Sequence, residues 1–191
     1  TKEKPYLTLT NFEKSLESTF QYDNNIEEQQ YLDLLKLVIE KGVIRQGRNG
    51  LTYSTFGQKM EFNLANNTLP ILTTKRMAIK TCIKELIWFI SGNTNNQTLN
   101  DQGVHIWDGN STRQFLDQQG FFDRSEGDLG PIYGFQWRHC GAKYQDCQSD
   151  YSGLGVDQLK QSIDMIIKDP YSRRNIVTAW NPVDIPLMAL P

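Results

Sequence analysis

The chain has 191 residues, of which 38% are hydrophobic and 22% are charged, and its formal net charge is −2 at pH 7. These values are typical of a globular domain with a sizeable core, and they exclude a bulk electrostatic attraction to nucleic acid or to an anionic membrane. Residues 1–12 lack the apolar core of a secretory signal, the longest apolar run (86–90) is too short to span a bilayer, and the three cysteines form no paired framework. We therefore expect a cytoplasmic protein with free thiols.

The first part of the chain predicts one helix and one strand. Residues 1–26 are polar and aperiodic, which favours an N-terminal extension, a linker or a loosely docked arm. Apolar residues at helical spacing predict a helix over 27–41, ended by Gly42. Residues 51–64 are rich in Thr, Tyr and Phe and alternate in polarity at their end, so they predict a strand, which a turn follows at 66–67.

The remainder predicts two helices, a strand and a long irregular segment. Helical periodicity covers 78–90, and its second half is apolar on all sides, so this helix is expected inside a core. Residues 93–150 are rich in Gly, Asn, Gln and Asp, and long irregular stretches are often functional. A helix with one apolar face is predicted over 156–168, and a buried strand over 175–180. The predicted fold class is α+β, in one domain that is incomplete in this chain.

Glu85 lies within the apolar segment 83–89. A carboxylate among apolar side chains is costly unless it is hydrogen-bonded or protonated, which favours an acid/base or water-ordering role. Alternatively, Glu85 and Lys84 lie on a narrow exposed stripe of the helix. The spacing alone favours neither interpretation.

Two basic loops are candidate anion sites. Arg173 and Arg174 lie between a predicted helix end and a predicted strand, and adjacent guanidinium groups in a tight turn suit a phosphate. The alternative is a solvated loop, or ion pairs with Asp169 or Asp184, and the residues alone favour that alternative. The same two interpretations apply to the Gly-flanked loop that contains Arg48.

The aromatic and sulfur-containing residues are less specific. Trp107 and Trp137 could line a pocket for a flat ligand, although ordinary core packing is the more frequent role. His139, Cys140 and Cys147 could bind zinc, but the signal is weak because no CxxC pair is present. Walker A, GxGxxG and GxSxG motifs are also absent from the sequence. The residues alone therefore indicate an α+β domain with a possible anion site.

Several segments, taken together and in order, resemble the thymidylate synthase family. They are Thr73-Thr74-Lys75-Arg76, 84–89, 105–110, 127–138 and 169–181. The resemblance extends from about residue 28 to the end of the chain, and insertions around 110–117 and 141–155 resemble the branch found in eukaryotes and their viruses. It implies that 27–191 is the N-terminal part of a thymidylate synthase domain, with a sheet packed against helices. It also implies that 1–26 is an extension, or a linker from a fused dihydrofolate reductase domain.

The family transfers a one-carbon unit from 5,10-methylenetetrahydrofolate to carbon 5 of dUMP and reduces it, which yields dTMP and dihydrofolate. The resemblance therefore implies a methyltransferase of dTMP biosynthesis that uses folate as a co-substrate and no metal. By the same resemblance, Glu85 is the acid that orders water near the pyrimidine and assists proton transfer, and Tyr133 belongs to the same catalytic network. Ile106, Trp107 and Asn110 are expected around the folate.

The resemblance also implies how the phosphate of dUMP is bound. Arg48 is expected to bind it, while Arg173 and Arg174 reach across to the phosphate in the partner subunit. The family is accordingly a symmetric homodimer with shared active sites. The loop 48–54 is one residue shorter than the common form in the family, so the resemblance supports a phosphate-binding role less strongly for Arg48 than for Arg173 and Arg174.

The nucleophile of the family is a cysteine in a Pro-Cys-His sequence. Residues 188–191 resemble the sequence just before it, so the nucleophile is expected immediately after Pro191, and none of Cys82, Cys140 and Cys147 falls at that position. We expect the whole protein to be an active synthase and the 191-residue chain alone to be inactive. Two alternatives remain: an inactive or regulatory synthase fragment, and a related pyrimidine nucleotide hydroxymethylase, since the residue that selects uracil over cytosine lies beyond Pro191.

Overall fold

The computed structural model describes residues 25–47 and 50–190. Contacts divide the chain into two compact units, with the boundary between Met77 and Ala78. We call the described parts unit one (25–77) and unit two (78–190). Among the described residues there are six α-helices and one two-stranded sheet, a combination consistent with the predicted α+β class. None of the helices in these ranges is long and apolar enough to cross a membrane.

Unit one begins with helix α1, Ile26–Lys41. The helix starts where the Asn25 side chain accepts a hydrogen bond from the backbone N–H of Glu28 at 3.3 Å, a typical N-terminal cap. It ends at Gly42, where a Cβ atom would lie 2.3 Å from the carbonyl oxygen of Val38. The helix predicted over 27–41 is therefore confirmed to within one residue, and so is its end at Gly42.

A hairpin follows α1. Strands β1, Val43–Gly47, and β2, Gly50–Ser54, pair antiparallel, with Val43 opposite Ser54. The connecting residues Arg48 and Asn49 lie outside the described residues, and with them the predicted phosphate-binding role of Arg48.

The strand predicted over 51–64 is correct only at its beginning. After Ser54, residues 55–64 pair with no strand among the described residues, and the chain is irregular there. The predicted turn is confirmed, since Asn66 and Asn67 have φ values of 59° and 58°, a left-handed conformation that asparagine tolerates better than most residues.

Glu28 holds the irregular part of unit one in place. Its carboxylate is buried and accepts hydrogen bonds of 2.6–2.8 Å from the backbone N–H groups and the hydroxyls of Thr73 and Thr74. Burial by itself raises the pKa of Glu28, but these hydrogen bonds outweigh it and hold the pKa at about 2. The segment around 73–74 is therefore fixed by a polar anchor rather than by regular secondary structure.

Unit two contains five helices. They are α2 (Ile79–Ile90), α3 (Gln97–Asn100), α4 (Arg113–Gln118), α5 (Tyr133–His139) and α6 (Gln158–Lys168). Helix α5 packs against both α2 and α6. Short 3₁₀ turns cover Asp108–Asn110 and Ile185–Leu187. The prediction of a long irregular segment over 93–150 is only partly correct, because α3, α4 and α5 form within it. Most of the fully buried apolar side chains come from this segment: Leu99, Val104, Leu116, Leu129, Ile132 and Phe135.

Helix α2 confirms its predicted span but not its predicted burial. Within its apolar second half only Trp88 is buried, whereas Ile87 is 61% exposed and Leu86 and Ile90 are also exposed. The prediction of a helix buried on all sides is wrong, because α2 contacts α3 and α5 in the described structure and leaves its opposite face uncovered.

Two other predictions near the end of the chain need correction. The helix predicted over 156–168 begins at Gln158, and Ile163 and Ile166 on its apolar face are exposed. The buried strand predicted over 175–180 is an unpaired, largely exposed segment, because among residues 25–47 and 50–190 no strand lies beside it to complete a hydrogen-bonded ladder.

Candidate active site

The close approach of α5 to α2 builds the centre of the site. Gly134 lies against the backbone of α2, and a Cβ atom there would be 2.6 Å from the carbonyl oxygen of Phe89. Only glycine permits this contact without displacement of one helix. The preceding residue, Tyr133, is thereby held with its ring edge-on to Phe89, at a centroid distance of 5.6 Å and an angle of 70°.

Five rings from four parts of unit two form what we call the aromatic cluster: Phe89, Trp107, Tyr133, Trp137 and Trp180. Phe89 is at its centre, with ring centroids 6.2 Å from Trp107 and 5.9 Å from Trp137. Trp180 packs on the far side of Tyr133 at 5.6 Å. These tilted and edge-to-face arrangements are the favoured geometry of aromatic pairs.

Glu85 is held at the edge of the aromatic cluster. Its Oε1 atom accepts a hydrogen bond of 2.8 Å from the indole Nε1–H of Trp107, which is itself buried. Glu85 is partly buried and hydrogen-bonded, so its carboxylate is neither enclosed by apolar side chains nor on a fully exposed stripe of the helix. The carboxylate is fixed on one side by the indole and remains partly open on the other, which leaves acceptor positions free for a ligand or for water.

The neighbouring phenol of Tyr133 is neutral, as is usual for tyrosine, and its surroundings disfavour ionisation further. Burial, and in addition the negative charge of Glu85, raise the pKa of Tyr133 above its ordinary value. Tyr133 therefore retains its O–H donor at physiological pH, close to a carboxylate that accepts. A donor and an acid/base group beside flat aromatic walls suit a planar heterocyclic ligand.

The two other residues predicted around a folate lie beside Trp107. Ile106 is exposed, and Asn110 ends the 3₁₀ turn, where its backbone N–H donates to the carbonyl oxygen of Trp107 at 3.1 Å. Asp108 in the same turn accepts a hydrogen bond of 2.8 Å from the buried Asn96. The structure thus brings Glu85, Tyr133, Trp107, Ile106 and Asn110 into one region.

The arginine pair lies in an exposed turn after α6. No ion pair between described residues includes Arg173 or Arg174, so the predicted alternative of pairing with Asp169 or Asp184 is not formed. Asp184 is instead buried and accepts a 2.8 Å hydrogen bond from Gln136. The arginines are available to an anion, and among the described residues their side chains form neither an ion pair nor a cation–π contact.

The weak zinc hypothesis for His139, Cys140 and Cys147 finds no matching geometry. Among residues 25–47 and 50–190 no group of three or more His, Cys, Asp or Glu side chains is arranged to hold a metal ion. His139 contributes its ring to a second aromatic group, against Phe135 and Tyr151.

Sequence reasoning did not assign the roles of Phe89, Trp180 and Gln136 in this region. The sequence pattern places Phe89 in an apolar helix and Trp180 in a strand, but it does not show which aromatic rings contact each other in the fold. Gln136 carries no recognisable signal beyond its place in the 127–138 segment, yet it is fully buried and tied to Asp184.

Comparison with known proteins gives a consistent result. Residues 29–191 match the family described as thymidylate synthase. The chain is 54% identical over 169 residues to a probable thymidylate synthase of Schizosaccharomyces pombe, covering 87% of this chain and 27% of that protein. It is 53% identical over 169 residues to the thymidylate synthase of Saccharomyces cerevisiae, covering 87% of this chain and 56% of that protein.

A bifunctional dihydrofolate reductase-thymidylate synthase of Paramecium tetraurelia is 52% identical over 170 residues, covering 88% of this chain and 37% of that protein. The chain thus spans between 27% and 56% of the length of these three relatives. The match nevertheless includes all the segments that carried the resemblance, and it extends over far more than half of the chain. The chain belongs to the thymidylate synthase family.

Proposed function

We propose that the whole protein is a thymidylate synthase, which methylates dUMP to dTMP with 5,10-methylenetetrahydrofolate as the donor of carbon and hydride. The observation that carries the proposal is the Glu85 carboxylate held by the Trp107 indole beside Tyr133. This arrangement combines an acid/base group, a neutral phenol and flat apolar walls, as a reaction on a pyrimidine beside a folate ring requires.

Each proposed role follows from where the side chain lies. Glu85 orders water at the pyrimidine and assists proton transfer, and Tyr133 donates from the same side. The ring of Trp107, with Ile106 and Asn110, forms the folate surface, and the exposed Ile106 side chain is accessible to such a ligand.

The proposed nucleophile is the cysteine of a Pro-Cys-His sequence after Pro191. The state of two of the cysteines in the chain supports this choice. Burial, with the nearby charge of Asp184, raises the pKa of Cys140, and burial, with the charge of Asp128, raises the pKa of Cys147 to about 11. Thiols with raised pKa values are poor nucleophiles because little thiolate is present at neutral pH.

Phosphate binding and assembly are proposed together. Arg48 would bind the dUMP phosphate within its own subunit, and Arg173 and Arg174 would bind it from the partner subunit of a cytoplasmic homodimer. The exposure of both arginines and the uncovered apolar faces of α2 and α6 support a partner surface. The bifunctional relative supports the proposal that residues 1–26 are a linker from a fused dihydrofolate reductase domain, the alternative being an N-terminal extension.

Turnover by the whole protein tests the proposal. Purified protein is assayed with methylenetetrahydrofolate and either dUMP or dCMP. We expect dTMP and dihydrofolate from dUMP and no reaction of dCMP. Turnover of dCMP instead would favour a hydroxymethylase, and no turnover of either nucleotide would contradict the proposal.

The role of Glu85 is tested with Glu85→Gln, with Glu126→Gln as a matched change at an exposed carboxylate. We expect Glu85→Gln to lower kcat by about 10²-fold or more, as is typical for loss of a general acid–base group, with little change in the Kd of dUMP. Glu126→Gln should leave both unchanged. An unaltered kcat for Glu85→Gln would remove Glu85 from the mechanism.

A further inference from the structure

Gln158, the first residue of α6, makes a side-chain clamp on a distant segment of the chain. Its Oε1 atom accepts from the backbone N–H of Thr178 at 2.9 Å, and its Nε2 donates to the carbonyl oxygen of Thr178 at 2.9 Å. Together the two bonds imitate the paired bonds of an antiparallel ladder, with a side-chain amide in place of a second strand. Gln158 is only 8% exposed, so loss of these bonds leaves buried polar groups unpaired.

The same amide joins Thr178 to helix α5. The Nε2 group of Gln158 also donates to the carbonyl oxygen of Gln136 at 2.6 Å. The donor and acceptor sides of the Gln158 amide are therefore both engaged, and only one orientation of the amide satisfies them. Gln136 is fully buried and lies one helical turn after Tyr133.

A second set of hydrogen bonds joins the segment to Gln136. The buried carboxylate of Asp184 accepts from Gln136 Nε2 at 2.8 Å and from Asn181 Nδ2 at 2.9 Å. The segment from Thr178 to Asp184 is thus attached to Gln136 at both ends, directly at Asp184 and through the Gln158 amide at Thr178. Trp180 lies between the two anchors and packs on the ring of Tyr133 at 5.6 Å.

Apolar burial contributes little to holding this segment. Val183 is 78% exposed, and Trp180 is also exposed. No strand pairs with the segment in the described part of the chain. The hydrogen bonds at Thr178 and Asp184 therefore hold the segment in position, as pairing with a neighbouring strand does in a sheet.

We propose that Gln158 is a positioning residue of the active site. The hydrogen bonds of its side-chain amide to Thr178 hold Trp180 against Tyr133. They also fix the position of the turn that contains Arg173 and Arg174, since this turn ends only four residues before Thr178. The effect on catalysis rests on the proposed function, since it assumes that these arginines bind the phosphate of dUMP. The clamp itself, and its effect on Trp180, rest on the geometry alone.

The first test of the clamp needs no activity. The whole protein is labelled with fluorotryptophan, and Trp180→Phe assigns the Trp180 resonance. We expect Gln158→Leu to shift or broaden the Trp180 resonance and to leave that of Trp88, which is buried elsewhere in unit two, unchanged. Gln161→Leu, an exposed position on the same helix, is the matched control and should change neither resonance. An unchanged Trp180 resonance in Gln158→Leu overturns the clamp.

The second test separates positioning from chemistry. In steady-state assays we expect Gln158→Leu to raise the KM of dUMP about tenfold, which corresponds to about 1.4 kcal/mol, with a smaller change in kcat. A tenfold fall in kcat/KM that comes from kcat alone, with the KM of dUMP unchanged, would contradict the positioning of the arginines. If the wild-type protein turns over no dUMP, the proposed function fails, while the resonance of Trp180 still decides the clamp.

If Gln158→Leu does not fold, Gln158→Glu provides a second test of the proposal. Gln158→Glu keeps the acceptor for the Thr178 N–H but places a carboxylate against two carbonyl oxygens. We expect it to displace the Trp180 resonance at neutral pH and to restore it partly at pH values where the new carboxyl group is protonated and can donate. A Trp180 resonance at the wild-type position at all pH values contradicts the proposal.

Discussion

Burial in segment 93–150 and in helix α2 is the opposite of what their compositions predict. The sequence predicts segment 93–150 as irregular, but three short helices form within it, α3, α4 and α5. Segment 93–150 is rich in Gly, Asn, Gln and Asp, yet it supplies most of the fully buried side chains of unit two. Helix α2 is the more apolar, yet Trp88 is its one buried side chain and Ile87 is 61% exposed. Composition therefore predicts the tendency to be buried, while the neighbours that the fold provides decide the outcome.

Segment 93–150 can be buried because the polar groups of its loops form hydrogen bonds with partners within the same segment. Asp128 is completely buried, and its carboxylate accepts hydrogen bonds from the backbone N–H groups of Gly130 and Cys147 and from the hydroxyl of Tyr144, at 2.7–3.0 Å. The guanidinium of Arg124 lies 4.0 Å away. A loop whose backbone groups are satisfied in this way costs little to bury.

Loss of the Asp128 carboxylate should have the largest effect on segment 93–150. Asp128→Ala leaves the backbone N–H groups of Gly130 and Cys147 and the nearby Arg124 without their acceptor. We expect a loss of about 3–5 kcal/mol in the free energy of unfolding, measured by urea denaturation. Asp123→Ala, at an exposed position in the same segment, is the control and should change it by about 0.5 kcal/mol or less. A change of less than about 1 kcal/mol for Asp128→Ala would mean that the segment does not depend on this anchor.

A pair of apolar truncations compares the two kinds of region directly. Leu116 in the short helix α4 is fully buried, so Leu116→Ala should cost about 2–5 kcal/mol. Ile167 in α6 is 78% exposed, so Ile167→Ala should cost about 0.5 kcal/mol or less in the 191-residue chain. Equal losses in thermal or urea unfolding would contradict the difference in burial.

The same Ile167→Ala change, made in the whole protein, sharpens the comparison. If the proposed partner surface covers this face of α6, the change should cost more there than in the 191-residue chain. Equal costs in the two proteins would mean that this part of α6 is exposed in both.

Gly134→Ala tests the contact on which the candidate site is built. The added methyl group would meet the backbone of Phe89 at 2.6 Å, and we expect a loss of about 1–3 kcal/mol from overpacking, with displacement of Tyr133. Gly109→Ala is the control, since nothing lies within 4 Å of a Cβ atom there. Unfolding curves give the stability, and near-ultraviolet circular dichroism reports the aromatic cluster. Equal stabilities and equal spectra of Gly134→Ala and Gly109→Ala would show that α5 can move without loss of stability.

A pH-dependent effect extends the comparison to unit one, where Glu28 is a polar anchor like Asp128. Because the pKa of Glu28 is held at about 2, below its ordinary 4.5, its contribution is fully present above about pH 4.5 and is lost as the pH falls towards 2. We expect the difference in unfolding free energy between wild type and Glu28→Gln to shrink over this interval. Parallel stability curves from pH 5 to pH 2 would contradict the depressed pKa.

The three longest helices were predictable because their signal is local, whereas the short helices α3, α4 and α5 lie within the segment predicted as irregular. The spans predicted as 27–41, 78–90 and 156–168 are observed as Ile26–Lys41, Ile79–Ile90 and Gln158–Lys168. Capping residues and a 3.6-residue period are contained within each segment, so they need no knowledge of the rest of the fold.

Strands and burial were less predictable because both require a partner. Residues 175–180 have the composition of a strand, but no strand pairs with them within 25–47 and 50–190. The apolar residues of α2 have the composition of a core, but one face of the helix is uncovered. A propensity for pairing or burial is realised only where another element supplies the complementary surface.

For the candidate site, the residues and their resemblance were sufficient to name Glu85, Tyr133 and Trp107, together with the family to which the chain belongs. Tertiary structure alone decided that the Trp107 indole holds the Glu85 carboxylate, and that Gln158 holds the segment carrying Trp180. The physical reason is distance along the chain: these hydrogen bonds join residues about twenty positions apart, and neither composition nor periodicity encodes which distant donor meets which acceptor.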